Sequence, residues 1–167
     1  MIVAIDVHYR KETAKIVAVL FNHWTDIQAT DFLIKYMPIA ADYEPGEFYK
    51  RELPCLLHIL GDINLTLVEC IVVDGYVFLD DDLKKGLGAH LFDALQGKKP
   101  VVGLAKSSFK KCKQYSREVL RGSSSKPLYV TAVGTELDEA VDCIRQMHGD
   151  FRIPTLLQQM DSKTKEP

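Results

Sequence analysis

The chain has 167 residues, is 47% hydrophobic and 26% charged, and carries a net charge of −2. This is an ordinary globular balance, and a chain of this length can bury a core without disulfide or metal staples. No apolar run approaches the roughly 20 residues needed to span a bilayer, and the opening Met1–Asp6 lacks a basic n-region, so a cytoplasmic protein is expected.

Taken in chain order, Met1–Asp6 is a short β-rich run that reads as a central strand ending in an acid. Polar residues 8–13 suit a hairpin connection to a second strand, Lys15–Phe21. Thr25–Ile34 is the candidate third strand, followed by a loop from Met37 to Glu47 marked by Pro38, Pro45 and Gly46. Pro54 suits the first turn of a helix, Leu53, Leu56, Leu57 and Leu60 follow at helical spacing, and Gly61 can stop it. Glu52 then stands at the mouth of that helix. Cys70–Val73 is a continuous apolar run, the mark of a strand buried on both faces, and Asp74-Gly75 ends it.

Leu87, His90, Leu91 and Leu95 mark a second helix. Pro100–Ala105 is another buried strand, with Lys106 at its end. Residues 107–121 are basic and read as a helix on which Lys110, Lys113, Arg117 and Arg121 share one face. A Gly/Ser loop leads to a strand at Leu128–Ala132. Leu137, Ala140, Val141, Ile144 and Met147 then stripe a last helix that Gly149 can close, and residues from Ser162 are expected to fray. Strands first, then alternating helix and strand, predict an α/β domain over 1–161. Its mixed central sheet would have antiparallel N-terminal strands and flanking helices, with 162–167 as a disordered tail.

Charge is unevenly spread. Nine Lys or Arg and a single acid, Glu118, fall between Lys98 and Lys126, leaving 22 acids elsewhere. A basic segment beside acids suits a metal site working on a polyanion, although a solvated helix would look the same. The four cysteines form no C-x-x-C pair, so zinc has no support and free buried thiols are expected. Neither a Gly-rich phosphate loop nor a G-x-S-x-G elbow is present.

Four carboxylates remain at positions where loops open crevices: Asp6 and Asp74 at strand ends, Glu52 at a helix mouth, and Asp161 beyond Pro154. Each alone could be a cap or a surface acid. Together they suit Mg²⁺ or Mn²⁺, which take oxygen ligands and leave positions for water and phosphate.

The order of motifs resembles the endonuclease V family across nearly the whole chain. Ile2–Asp6 matches its first acidic strand. The run from Asp42 to Glu52 is similar to P-Y-I-P-G-x-x-x-x-R-E. Val72-Val73-Asp74-Gly75, then Lys85 to His90, then Val102–Lys106 resemble V-D-G-x-G, R-x-G-x-A-S-H and I-G-V-A-K. Phe151-Arg152-Ile153-Pro154 with Asp161 follows the family's Y-R-L-P and last acid.

The resemblance implies an RNase H-like fold. It also implies cleavage of DNA or RNA one bond beyond a deaminated purine, hypoxanthine, with Mg²⁺ or Mn²⁺. Asp6, Glu52, Asp74 and Asp161 would be metal ligands, and Lys106 a catalytic phosphate contact. Tyr43 would lie in the wedge, and Pro45, Gly46, Gly75, Gly86 and His90 around the substrate. A nucleic-acid partner and a monomer are expected.

The pattern departs in places. Asp42 and Glu44 replace the wedge's Pro and Ile, and Leu79-Asp80-Asp81-Asp82 stands where the family has His-Pro-Arg. The segment between Lys106 and Pro127 is short, and Leu157-Gln158 replaces Thr-Arg. His8 or His90 could compensate for the lost histidine, although a buried structural role suits His90 better. Asp80–Asp82 reads as a solvated turn, and Lys110, Lys111, Lys113, Arg117 and Arg121 could replace the lost phosphate contacts. A binding module that keeps the fold without turnover is the competing expectation.

Overall fold

A computed structural model describes residues 1–39, 42 and 44–167. Seven strands form one sheet in the order β3-β2-β1-β4-β5-β7-β6. They are β1 (Ile2–Arg10), β2 (Thr13–Phe21), β3 (Asp31–Pro38), β4 (Cys70–Asp74), β5 (Val101–Ala105), β6 (Arg117–Val119) and β7 (Leu128–Val133). The helices are α1 (Tyr49–Leu60), α2 (Leu87–Ala94), α3 (Leu137–Arg145) and α4 (Thr155–Lys165). β1, β4 and β5 run parallel at the centre, and β2, β3, β7 and β6 extend the sheet by antiparallel pairing. The expected mixed sheet with an antiparallel N-terminal side is therefore present.

Alternation along the central strands sends side chains to two cores. Val3, Ile5, Ile71 and Val73 pack on one face with Leu56, Ile59 and Leu91 of α1 and α2. Ile2, Ala4 and Val72 pack on the other with Ile144, Leu156 and Met160 of α3 and α4. Because β4 and β5 are covered on both faces, their sequences read as unbroken apolar runs.

Several boundaries differ from expectation. β1 continues through Asp6 to Arg10, and the hairpin is a tight turn with Lys11 in the left-handed region (φ 45°). The polar residues His8–Arg10 stay in the strand because β2 supplies their ladder. Asp6 thus does not end its strand; it stands one position past Ile5, where pairing with Val73 of β4 stops. β3 lies later than Thr25–Ile34, at the sheet edge, and includes Met37 and Pro38. Pro is tolerated there because an edge strand leaves one row of N–H groups unpaired.

α1 begins at Tyr49, which puts Pro54 inside the helix rather than in its first turn. Residues 107–116 are not helical, and Arg117–Val119 is a strand pairing with β7. The residues expected to fray from Ser162 are helical to Lys165. Thr164 is buried, and the carbonyls of Thr164 and Glu166 accept from the Arg10 guanidinium, the latter also from Lys15 Nζ. Two cations at a helix C-terminus satisfy its last carbonyls and oppose its dipole.

Gly103 on β5 fixes how closely the strand ends approach. A Cβ there would lie 2.5 Å from both the Gly75 carbonyl oxygen and Thr131 Oγ1. Thr131 is fully buried and accepts from Val77 N–H at 2.8 Å, so neither neighbour can retreat freely. Gly103→Ala is expected to destabilise by about 1–3 kcal/mol, as core overpacking does, read as a lower urea midpoint at unchanged m-value.

Candidate active site

Parallel pairing of β1 and β4 sets the geometry. With Ile5 opposite Val73, Asp6 and Asp74 come next on adjacent strands, on the face covered by α4. Asp74 pairs across to Leu104, so Lys106, two residues on, reaches the same end. Asp6, Asp74, Lys106 and Asp161 line one narrow recess of about 40 Å³, whose remaining walls include Val72, Leu104, Leu128, Leu157 and Met160. Glu52 approaches from the opposite face on the first turn of α1 and is 6% exposed. The fold therefore places four of the five residues predicted for catalysis around one recess, while Glu52 lies outside its lining and is linked to Asp6 and Asp74 only through their charge.

Electrostatics reflect the crowding. Burial, followed by Asp74, pushes the Asp6 carboxyl up to about 6. Burial raises Glu52 to about 8; the Tyr9 hydroxyl opposes this, and Asp6 and Asp74 add to it. Asp74 opens to solvent at its strand end but sits deep in a concave wall. Desolvation raises it, with the Lys106 ammonium pulling the other way. Asp161, on α4, pairs with Lys165 one turn on, at 2.7 Å.

Sequence reading missed the support behind Glu52. Tyr9, on the α1 side of β1, carries the Arg51 guanidinium 3.7 Å over its ring, and its buried hydroxyl faces Glu52 without closing a hydrogen bond. The alternation of β1 holds the signal: once the strand is extended to Arg10, Ile5, Val7 and Tyr9 share the α1 face.

A second, larger cleft of about 440 Å³ adjoins the recess and shares Asp74 and Lys106 with it. Gly46, Gly75 and Gly86 are among its walls, with Phe48, Tyr49, Tyr76 and Phe109 as aromatic lining. Gly86 is needed for close approach, since a Cβ would meet the Tyr76 carbonyl oxygen at 2.5 Å. Of the other predicted substrate residues, Pro45 is exposed outside this lining. His90 is half-buried and stacks under Tyr49 with ring centroids 3.6 Å apart, so it supports the cleft wall rather than forming it. Tyr43 lies outside the described residues. His8 sits half-buried on β1.

The expected basic helix face does not exist, because its residues are divided among a loop, a strand and the interior. Arg121 is 5% exposed and donates to the carbonyls of Met147, Gly149 and Phe151, closing the end of α3. Arg117 lies on β6 beside Asp138.

The chemistry of the acids fits a hard divalent cation. Asp6 and Asp74 are adjacent carboxylates whose mutual repulsion a cation would relieve, and Mg²⁺ is held by as few as one or two carboxylates with water and phosphate completing its shell. Among the described residues, no three His, Cys, Asp or Glu side chains stand together as a ready-made cage. Asp161 in particular faces Lys165. Asp6 and Asp74 are the pair that would hold such an ion directly, with Glu52 and Asp161 beside them.

A mixed sheet with β1, β4 and β5 parallel at its centre and helices on both faces is the architecture of the RNase H-like fold. Solved structures of the same architecture agree. A Ciona intestinalis endonuclease V in complex with an inosine-containing DNA superposes with a TM-score of 0.80 at 18% identity, covering 98% of this chain and 84% of that one. The Streptomyces avermitilis endonuclease V gives 0.75 at 22% identity, with 98% and 79% covered. The human endonuclease V gives 0.75 at 20% identity, with 98% and 82% covered. No curated protein matches by sequence alone. The family model for endonuclease V matches residues 1–162, and the chain belongs to the endonuclease V family. It is thereby a nuclease, a hydrolase acting on nucleic acid. Among the described residues, no helix is long and apolar enough to cross a membrane.

Proposed function

We propose that this protein is a metal-dependent endonuclease that hydrolyses a phosphodiester near a deaminated purine, hypoxanthine, in DNA or RNA. The observation that carries this reading is the shared wall. Asp74 and Lys106 line both the acid recess and the aromatic cleft, so a phosphate at the acids has its neighbouring base at the cleft mouth. Glycine walls let backbone N–H and carbonyl groups reach a base edge, and aromatic rings replace the stacking lost when a base leaves the helix. The inosine in the DNA bound by the Ciona protein supports the same substrate class here.

In this reading Lys106 holds the phosphate, while Asp6, Glu52, Asp74 and Asp161 present Mg²⁺ or Mn²⁺ to it. The cation supplies charge neutralisation at the phosphodiester and acidifies the attacking water. Glu52, raised to about 8, holds a proton at neutral pH until a cation compensates the cluster. The active unit is taken to be a cytoplasmic monomer.

Labelled single- and double-stranded oligonucleotides, in DNA and RNA forms and with one hypoxanthine each, test this in Mg²⁺, Mn²⁺ and EDTA. A single cut one bond past the hypoxanthine, lost in EDTA, is the expected result. Equal cutting of unmodified strands would remove the base from the proposal. A second reading, binding without turnover, draws on the Lys165–Asp161 pair and on the acids Asp42 and Glu44 beside the wedge position. Saturable binding with no cut under any metal condition would favour it.

A further inference from the structure

Residues 107–116, expected to be helical, form instead a strap along one wall of the aromatic cleft, held at both edges. On the inner edge, Tyr76 Oη donates to the Ser107 carbonyl at 3.1 Å and accepts from Phe109 N–H at 3.0 Å. The Tyr76 and Phe109 rings lie 5.1 Å apart, and Cys112 is buried beside Tyr76 and Ala105. On the outer edge, one carboxylate oxygen of Asp81 accepts from the N–H groups of both Lys113 and Gln114 at 2.8 Å. Asp81 N–H in turn donates to the Lys111 carbonyl at 3.0 Å. The neighbouring Asp80 carboxylate is occupied likewise by Asp82 and Lys84 N–H groups, and Asp82 is exposed. The acid run read as a solvated turn is therefore a bracket, with two of its three carboxylates turned onto backbone.

The clamp leaves Lys110, Lys111 and Lys113 exposed on the outside of the strap, directly after Phe109, which lines the cleft. Among the described residues none of the three pairs with a carboxylate, whereas Lys50, Lys85 and Arg117 do. Three unpaired cations within four residues, on a chain of net charge −2, form a local anion-seeking surface beside the cleft.

We propose that this strap is a docking surface for the nucleic-acid strand, on which Lys110, Lys111 and Lys113 take phosphates flanking the nucleotide whose base enters the cleft. Asp81 is the positioning residue that holds those lysines in register with it. The placement of the base rests on the function proposed above; the phosphate contacts do not require the base to be hypoxanthine.

Binding of fluorescein-labelled single strands, DNA and RNA, unmodified or with one hypoxanthine, is followed by anisotropy in EDTA across a salt series. Removing three phosphate contacts in K110A/K111A/K113A is expected to flatten the slope of log affinity against log salt by about 2, at roughly 0.7 per contact, and to weaken low-salt binding at least about tenfold. D81A keeps the three charges, so its slope is expected to stay near wild type while affinity falls several-fold. A triple variant with the wild-type slope overturns the surface, as does a wild-type protein that binds none of the strands. D81A binding as tightly as wild type overturns the bracket. A wild type that binds unmodified and hypoxanthine strands alike counts against the base reading and leaves the slope comparison intact. Single lysine variants, each expected to lower the slope by about 0.7, keep the result decisive if the triple variant folds poorly.

Discussion

Asp74→Asn is expected to abolish cleavage, lowering kcat by at least about three orders of magnitude, ~4 kcal/mol of barrier. Asp74 holds the one carboxylate common to the acid recess and the aromatic cleft. Its loss removes a negative oxygen from beside Asp6 and one of the carboxylates that face the Lys106 ammonium. The substitution is isosteric, and desolvation already disfavours the charge it deletes, so Tm is expected to hold or rise slightly. Loss of activity with intact Tm separates a chemical role from a folding one. Cleavage unchanged in the variant, in a preparation free of other nucleases, would show that Asp6 and Asp74 are not the reacting centre.

The central architecture was readable because burial on both faces writes itself into sequence. Cys70–Val73 and Pro100–Ala105 are apolar runs with a charged residue immediately after, and the acid and the lysine they deliver do stand together. Asp6 was readable as a site residue but not as a mid-strand one. What makes it special is where β4 stops pairing, a property of two strands far apart in the chain. Residues 107–121 misled because helical spacing of four cations is a one-dimensional coincidence. The chain there is organised by contacts to Tyr76, Asp81 and the carbonyls after α3, none of which is local. The end of α4 misled for the reverse reason: its sequence is polar, but Arg10 and Lys15 of the first hairpin hold its last carbonyls. Composition within a segment marks a core reliably; it does not reveal polar groups satisfied from far along the chain.

The metal-free protein is expected to lose stability as pH rises, and Mg²⁺ to restore it. The Asp6 carboxyl, ordinarily near 3.8, is held up to about 6, and Glu52, ordinarily near 4.5, up to about 8. Between the ordinary and the raised values the folded state binds more protons than the unfolded one, so stability falls with increasing pH. The contribution is whole below about pH 4, shrinks as Asp6 ionises toward pH 6, and is lost as Glu52 ionises toward pH 8. Each tenfold difference in proton affinity between the folded and unfolded states corresponds to about 1.4 kcal/mol, so the two interacting acids set a decline on the order of a few kcal/mol, read as a lower Tm, between pH 5 and pH 8 in EDTA. Glu52→Gln deletes the larger of the two contributions. In EDTA it is expected to flatten the profile and to raise Tm at pH 8, since a neutral amide replaces a carboxylate that is 6% exposed. A cation at Asp6 and Asp74 stabilises the ionised cluster, so millimolar Mg²⁺ is expected to recover Tm at pH 8 in the wild type and to do little at pH 5, where protons already occupy the acids. Scanning fluorimetry over pH 4–9, with EDTA or Mg²⁺, reads all three effects. A flat profile in EDTA would mean that water reaches the acids freely and that no strain is stored for a metal to relieve. A steep profile without a Mg²⁺ response would mean instead that the strain is real but that Lys165, already on Asp161, keeps the cation out.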